Sequence, residues 1–187
     1  QTCALPIYEG KLGRIFMIDA SVKWFRDQDY YDNGGWRGTL DLDGGGAVIN
    51  QAIHTVDLMV WLCGEPERLH ALKGTFTHER MEGEDNAVAS LRFKNGALGL
   101  FSASTSMVPS RNRKIEVHGT KGTAVLDGDV FRFESGGRGS ADVSDKRGAG
   151  SSNPLAGMTA SHHARQYEQI LNALGNNEQP AVSGAES

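Results

Sequence analysis

Residues 44–66 read Gly44-Gly45-Gly46-Ala47-Val48-Ile49-Asn50-Gln51-Ala52-Ile53-His54-Thr55-Val56-Asp57-Leu58-Met59-Val60-Trp61-Leu62-Cys63-Gly64-Glu65-Pro66. The apolar run from Ala47 to Leu62 is 16 residues long, too long for a typical strand and right for a buried helix. Gly64 and Pro66 close it, since glycine takes the left-handed cap and proline cannot continue a helix. Positions 50, 54, 57 and 61 are spaced by four, three and four, so a helix places Asn50, His54, Asp57 and Trp61 on one face. Polar groups on a buried helix need partners. Taken alone, the stripe reads most simply as a structural network, with His54 bonded to a neighbouring carbonyl. The three glycines shift that balance. They permit close backbone approach by a ligand to a positively polarised helix start, where a histidine one turn on faces that ligand as a general acid or base.

Outward from this segment the texture is β-like. Upstream, Leu12 to Trp24 predicts a strand with its core from Ile15, and Phe25 to Asp43 predicts a polar loop. Downstream, six short segments follow: 69–78, 86–93, 97–106, 114–118, 123–126 and 130–133. Lys94-Asn95-Gly96-Ala97 joins two of them, and Asn-Gly between strands is a strong hairpin signal. Gly119-Thr120-Lys121-Gly122 and Asp127-Gly128-Asp129 supply two more tight connections. Ser135 to Met158 is polar and glycine-rich, either an excursion over a binding site or a mobile loop. A last helix is expected from about Ala160 to Leu174, with Ala164, Tyr167, Ile170, Leu171 and Leu174 on one face. These elements make an α+β domain.

Composition excludes several classes. With 39% hydrophobic and 22% charged residues over 187 positions, one domain with a sizeable core is expected. A net charge of −4 with no Lys/Arg block argues against nucleic acid as a partner. No stretch of about 18 uncharged apolar residues is present, so no membrane-spanning helix is expected. No basic region followed by an apolar core opens the sequence, and a cytoplasmic location is expected. Cys3 and Cys63 cannot make a disulfide scaffold or a zinc site by themselves. His70, His78 and His118 are placed on strands without a carboxylate or cysteine partner at metal-ligand spacing, so no metal is expected.

Glycine-rich nucleotide motifs also fail. Gly137-x-Gly139-x-x-Asp142 and Gly148-x-Gly150-x-x-Asn153 follow no strand and sit inside the polar loop. Gly119-Thr120-Lys121-Gly122-Thr123 lacks the order of a P-loop.

The glycine-to-proline string resembles the glucose–fructose oxidoreductase, inositol dehydrogenase and rhizopine-catabolism (Gfo/Idh/MocA) family. Supporting strings are Glu9-Gly10-Lys11-Leu12-Gly13-Arg14-Ile15, Trp36-Arg37-Gly38, Asn95-Gly96-Ala97, His118-Gly119-Thr120-Lys121-Gly122 and His163-Ala164-Arg165-Gln166-Tyr167. The resemblance runs over roughly residues 9–186 and is to the C-terminal domain only. It implies an open, mostly antiparallel sheet packed on one long helix, like that of dihydrodipicolinate reductase, with no Rossmann domain in this sequence. Residues 8–187 are then a substrate and oligomerisation domain. Residues 1–7 do not resemble the family helix expected before Glu9 and read as a non-native scar, a translated sequencing adapter, with a divergent linker as the alternative.

The resemblance implies part of an NAD- or NADP-dependent oxidoreductase acting on a sugar, polyol or sugar derivative by hydride transfer. Its cofactor is held mainly by an N-terminal Rossmann domain, and these residues alone are expected to be inactive. His54 falls on the family's catalytic histidine; Asn50, assigned to the catalytic site with it, falls one turn before it, where many members carry aspartate, and as a neutral amide can orient a sugar hydroxyl but not tune His54 as a carboxylate. Arg37 and Trp36 fall on substrate-contacting positions, with Asp57 a structural partner for backbone groups. Of the histidines opening the last helix, His162 is assigned to substrate, a solvated helix start being the equal alternative. Gly45 and Gly46 are assigned to the cofactor side. The rival reading is a non-catalytic binding or scaffold domain of the same fold. A homo-oligomer through the open sheet face is also implied, with Thr75, Thr77, Ser90, Arg92, Ser102 and Ser104 making that face polar and the interface wet.

Overall fold

In the computed structural model, which describes residues 9–128, 130–136, 140–141, 161–176 and 178, the sheet is built from its middle outward. Strand β1 (Ile15–Lys23) alternates as expected, burying Ile18, Ala20 and Val22 on one face. The chain then leaves through a short helix α1 (Gln28–Asp32), capped by the Asp27 carboxylate on the Tyr30 N–H at 2.9 Å. Sequence reading left this stretch as loop, because five residues carry no readable period. A π-helical turn (Val48–Ala52) leads into helix α2 (Ile53–Cys63), which stops at Gly64, φ +82°, where the Gly64 N–H donates to the Val60 carbonyl.

After the helix, β2 (Pro66–Gly74), β3 (Asn86–Phe93) and β4 (Leu98–Ser104) meander back until β4 pairs with β1 in parallel. β5 (Lys114–Gly119) takes the other side of β1 and continues antiparallel through β6 (Gly122–Asp127), β7 (Val130–Ser135) and β8 (Ser140–Ala141). The strand order is β2-β3-β4-β1-β5-β6-β7-β8, an open and mostly antiparallel sheet, with β1 to β4 the parallel pair among the described strands. The expected Asn-Gly hairpin joins β3 to β4, with Gly96 at φ +86°. Asn95 also donates to the Cys63 carbonyl at 3.0 Å, so the hairpin tip caps the end of α2.

One sheet face carries the core. Val22, Phe93, Phe101, Ile115, Val117 and Phe131 pack there with Ala52, Met59 and Cys63 of the helical segment. The polar stripe is not buried with them. His54 and Asp57 are exposed, Trp61 is 49% exposed and Asn50 half-buried, so the helix turns its apolar side to the sheet and the stripe outward. The turn containing Asn50 is π-helical, and the four-residue spacing to His54 is therefore not that of a regular α-helix.

The opposite sheet face also differs from expectation. Leu72, Val88, Leu98 and Leu100 are exposed on it beside Ser90, Arg92 and Ser102, because β2, β3 and β4 alternate with apolar residues on both sides. Thr75 and Thr77 lie beyond β2 and bond to the Gly83 carbonyl and the Asp85 carboxylate, and Ser104 is buried. His78 likewise lies between β2 and β3 rather than on a strand, and it does have a carboxylate partner, Asp85.

The chain divides into two compact units, residues 1–152 and 153–187. In the second, the expected last helix is α3 (Ser161–Gly175). The side chains of His162, His163 and Ala164, most of the 135–158 loop, and residues 1–7 lie outside the described residues. No helix among the described residues is long and apolar enough to cross a membrane.

Candidate functional site

The start of the long helical segment is held by a distant carboxylate. The Ala47 N–H donates to the Glu84 carbonyl at 2.7 Å and the Val48 N–H to Glu84 Oε1 at 3.0 Å. Helix starts leave such donors unpaired and attract negative charge, and Glu84, 7% exposed, supplies both acceptors. This approach explains Gly46, where a Cβ would overlap the Glu84 backbone. The room expected there for a ligand is filled by the chain itself. Gly45 and Gly46 are buried, and the two donors that would greet a phosphate are taken. Gly45 and Gly46 thus pack against Gly83 and Glu84.

One turn further on, polar side chains converge on Tyr30 of α1. Its hydroxyl donates to Asn50 Oδ1 at 3.2 Å and accepts from Gln51 Nε2 at 2.9 Å. Gln51 also donates to Asn50 Oδ1, and the Asn50 amide nitrogen donates to both oxygens of Asp43 at 2.8 Å. Asn50 thus has both acceptor sites and its amide hydrogens engaged internally. It holds the segment in place. Asp43 further accepts from the Gly38 N–H at 2.7 Å, tying the glycine-rich loop to the same network.

Two guanidinium groups flank the Tyr30 ring. Arg26 lies 5.3 Å from its centroid and Arg37 lies 4.6 Å away, while Trp24 and Trp36 cover the outer sides at 5.4 and 5.0 Å. Arg26 is buried and donates through Nη2 to Gln51 Oε1 at 2.9 Å. Arg37 is half-buried, with Nη1 on the Tyr30 carbonyl at 3.3 Å, and Trp36 is 43% exposed. The structure therefore brings Trp36, Arg37 and Asn50 into one cluster around Tyr30. Sequence reading did not find Arg26, Tyr30, Asp43 or Gln51 as one cluster, since nothing in their spacing marks them.

His54 stands in the first turn of α2, exposed and without a hydrogen bond among the described residues. The buried-histidine account of the stripe thus loses its premise. Asp57 is exposed and equally unbonded among the described residues, so its expected part as a partner of backbone groups is corrected. No group of His, Cys, Asp and Glu among the described residues is arranged to hold a metal. An exposed imidazole with free ring nitrogens can take a proton from a bound hydroxyl.

Residues 6–125 match the family model described as the GFO/IDH/MocA C-terminal domain. Among curated proteins, levoglucosan dehydrogenase of Pseudarthrobacter phenanthrenivorans is 28% identical over 166 residues, covering 76% of this chain and 42% of that protein. Myo-inositol 2-dehydrogenase of Thermotoga maritima is 33% identical over 105 residues, 51% of this chain and 31% of that protein. Among solved structures, the WlbA dehydrogenase of Bordetella pertussis, in complex with NADH and UDP-GlcNAcA, superimposes with a TM-score of 0.75 at 30% identity. That match covers 100% of this chain and 52% of that one. The chain thus spans about half the length of its relatives or less. On the matched domain and the shared fold, the chain belongs to the GFO/IDH/MocA family through its C-terminal domain.

Proposed function

We propose that these residues supply the substrate side and the proton acceptor of an NAD- or NADP-dependent oxidoreductase acting on a sugar, polyol or sugar derivative. The observation that carries the reading is the exposed His54, unbonded among the described residues and one turn beyond the Asn50–Tyr30–Gln51 network. Oxidising a hydroxyl releases a proton as well as a hydride, and His54 takes the proton. Trp36 presents a ring for the apolar face of a sugar, and the remaining Arg37 donors reach its oxygens.

The hydride acceptor is held outside these residues, in a Rossmann domain. This agrees with a helix start already occupied by Glu84. The relatives named above are dehydrogenases, one of them solved with NADH, which supports the nicotinamide class.

The test is a steady-state assay of the complete enzyme with NAD and NADP against a panel of sugars and polyols, comparing wild type with His54→Ala. A large loss of kcat with unchanged melting temperature is the expected result. Near-normal kcat in the variant would overturn the assignment of His54. Absence of nicotinamide reduction with every sugar and polyol in the wild type would favour the non-catalytic reading of the domain.

A further inference from the structure

Loop residues 75–85 carry a buried ion pair that the site above does not use. The Asp85 side chain is fully buried and accepts from the Phe76 N–H, the Thr77 N–H and hydroxyl, and Asn86 Nδ2, at 2.8–3.1 Å. Its desolvation opposes ionisation, but these donors and His78 outweigh it and hold the carboxyl well below the usual range. His78, with a side chain 3% exposed, has Nδ1 3.0 Å from Asp85 Oδ2 and Nε2 3.0 Å from the Arg26 carbonyl oxygen.

Both of those partners only accept hydrogen bonds. A neutral imidazole has one N–H, so one ring nitrogen would turn a lone pair onto an oxygen at 3.0 Å in a site shut from water. We propose that His78 is a buried imidazolium with both ring nitrogens protonated, pinning the chain at Arg26 to the start of β3 and so holding the Tyr30 network in register.

The route from pin to network is short in sequence. The carbonyl held by His78 belongs to Arg26, whose guanidinium holds Gln51 and flanks Tyr30. Other charges around the ring fit the assignment. Asp85 faces it from the start of β3. Tyr31 of α1 packs edge-on at 4.7 Å between centroids and stays neutral, its phenol pushed up to about 12 by burial. The Arg26 guanidinium is turned to Gln51 and the aromatic rings, and on the loop itself Glu79 is exposed while Arg80 pairs with Asp32. A single carboxylate therefore balances the ring. Loss of the Nδ1 or Nε2 proton breaks one of the two bonds and so loosens the link between Arg26 and Asp85.

The competing arrangement is a neutral ring, with Nε2–H on the Arg26 carbonyl and Nδ1 accepting from the Thr77 hydroxyl at 3.2 Å. Nitrogen-15 NMR of the histidine-labelled full chain separates the two. At neutral pH, one of the six histidines should show two slowly exchanging ring N–H protons and two protonated nitrogens. That signal should vanish in His78→Gln. If the variant does not fold, the signal is identified as the one surviving replacement of every other histidine. As pH is raised, the side-chain amides of Asn50 and Gln51 should shift in the same step as the His78 ring. A singly protonated ring overturns the charge assignment. Titration of the ring with both amides stationary, or global unfolding with no preceding amide shift, overturns the positioning role.

Discussion

His54 and Asp57 show at the residue scale what exposure decides. Both are exposed and without hydrogen bonds among the described residues, and surface changes of that kind alter stability by about 0.5 kcal/mol or less. His54→Ala should lower kcat of the complete enzyme by about 10²–10⁴-fold while leaving the melting temperature in place. Asp57→Ala should change neither by much. Kinetics and differential scanning calorimetry on the two variants check both. Asn50→Ala behaves differently, since it strips Asp43, Tyr30 and Gln51 of a shared partner, and a fall in melting temperature is expected along with any loss of rate. Asp85 sets the acid limb. Its carboxyl is held below the ordinary range, so its contribution is fully present above about pH 4 and is lost as pH falls through the folded value. Melting temperature should therefore drop on acidification, and Asp85→Asn should flatten that dependence while lowering stability at neutral pH.

At the scale of elements, the parts with strong local signals were legible. β3 fits its expected bounds of 86–93, and the glycine at 64 ends α2 where the cap rule places it. β2 runs only to Gly74, since Thr75 and Thr77 turn to serve Gly83 and Asp85. That competition comes from residues far along the chain and leaves no local mark. Gly46 teaches the same lesson, since the chain packed against it is Glu84, some forty residues on. The polar stripe was found, but its direction was not, because spacing fixes a shared face without saying what that face meets. Glu84 gives an element-scale prediction. Glu84→Ala removes the acceptor from the Val48 N–H and should cost about 0.5–2 kcal/mol, the usual range for a lost helix cap. Glu84→Gln keeps an acceptor and should retain most of the stability in urea unfolding.

Across the whole molecule, the open sheet face poses the remaining question of assembly. Leu72, Val88, Leu98 and Leu100 are between 44% and 66% exposed there, and Leu72, Val88 and Leu100 line a shallow cavity of about 420 Å³ that also takes in Asp19, Lys23, His70, Ser90 and Ser102. Burying a side chain of this kind fully stabilises by about 1.5–3 kcal/mol, so completing the burial of four on each of two facing copies gives several kcal/mol. Association costs on the order of 4–15 kcal/mol, so any oligomer formed through this face is expected to be of moderate strength and driven by its apolar centre rather than its serines. Light scattering from the complete enzyme at micromolar concentrations should give the mass of a dimer or larger. Leu100→Glu puts an unpaired charge at the middle of that face, 44% exposed in the single chain, so it should reduce the mass to a monomer with little loss of fold. A wild-type protein that scatters as a monomer at tens of micromolar would remove the sheet face from the assembly.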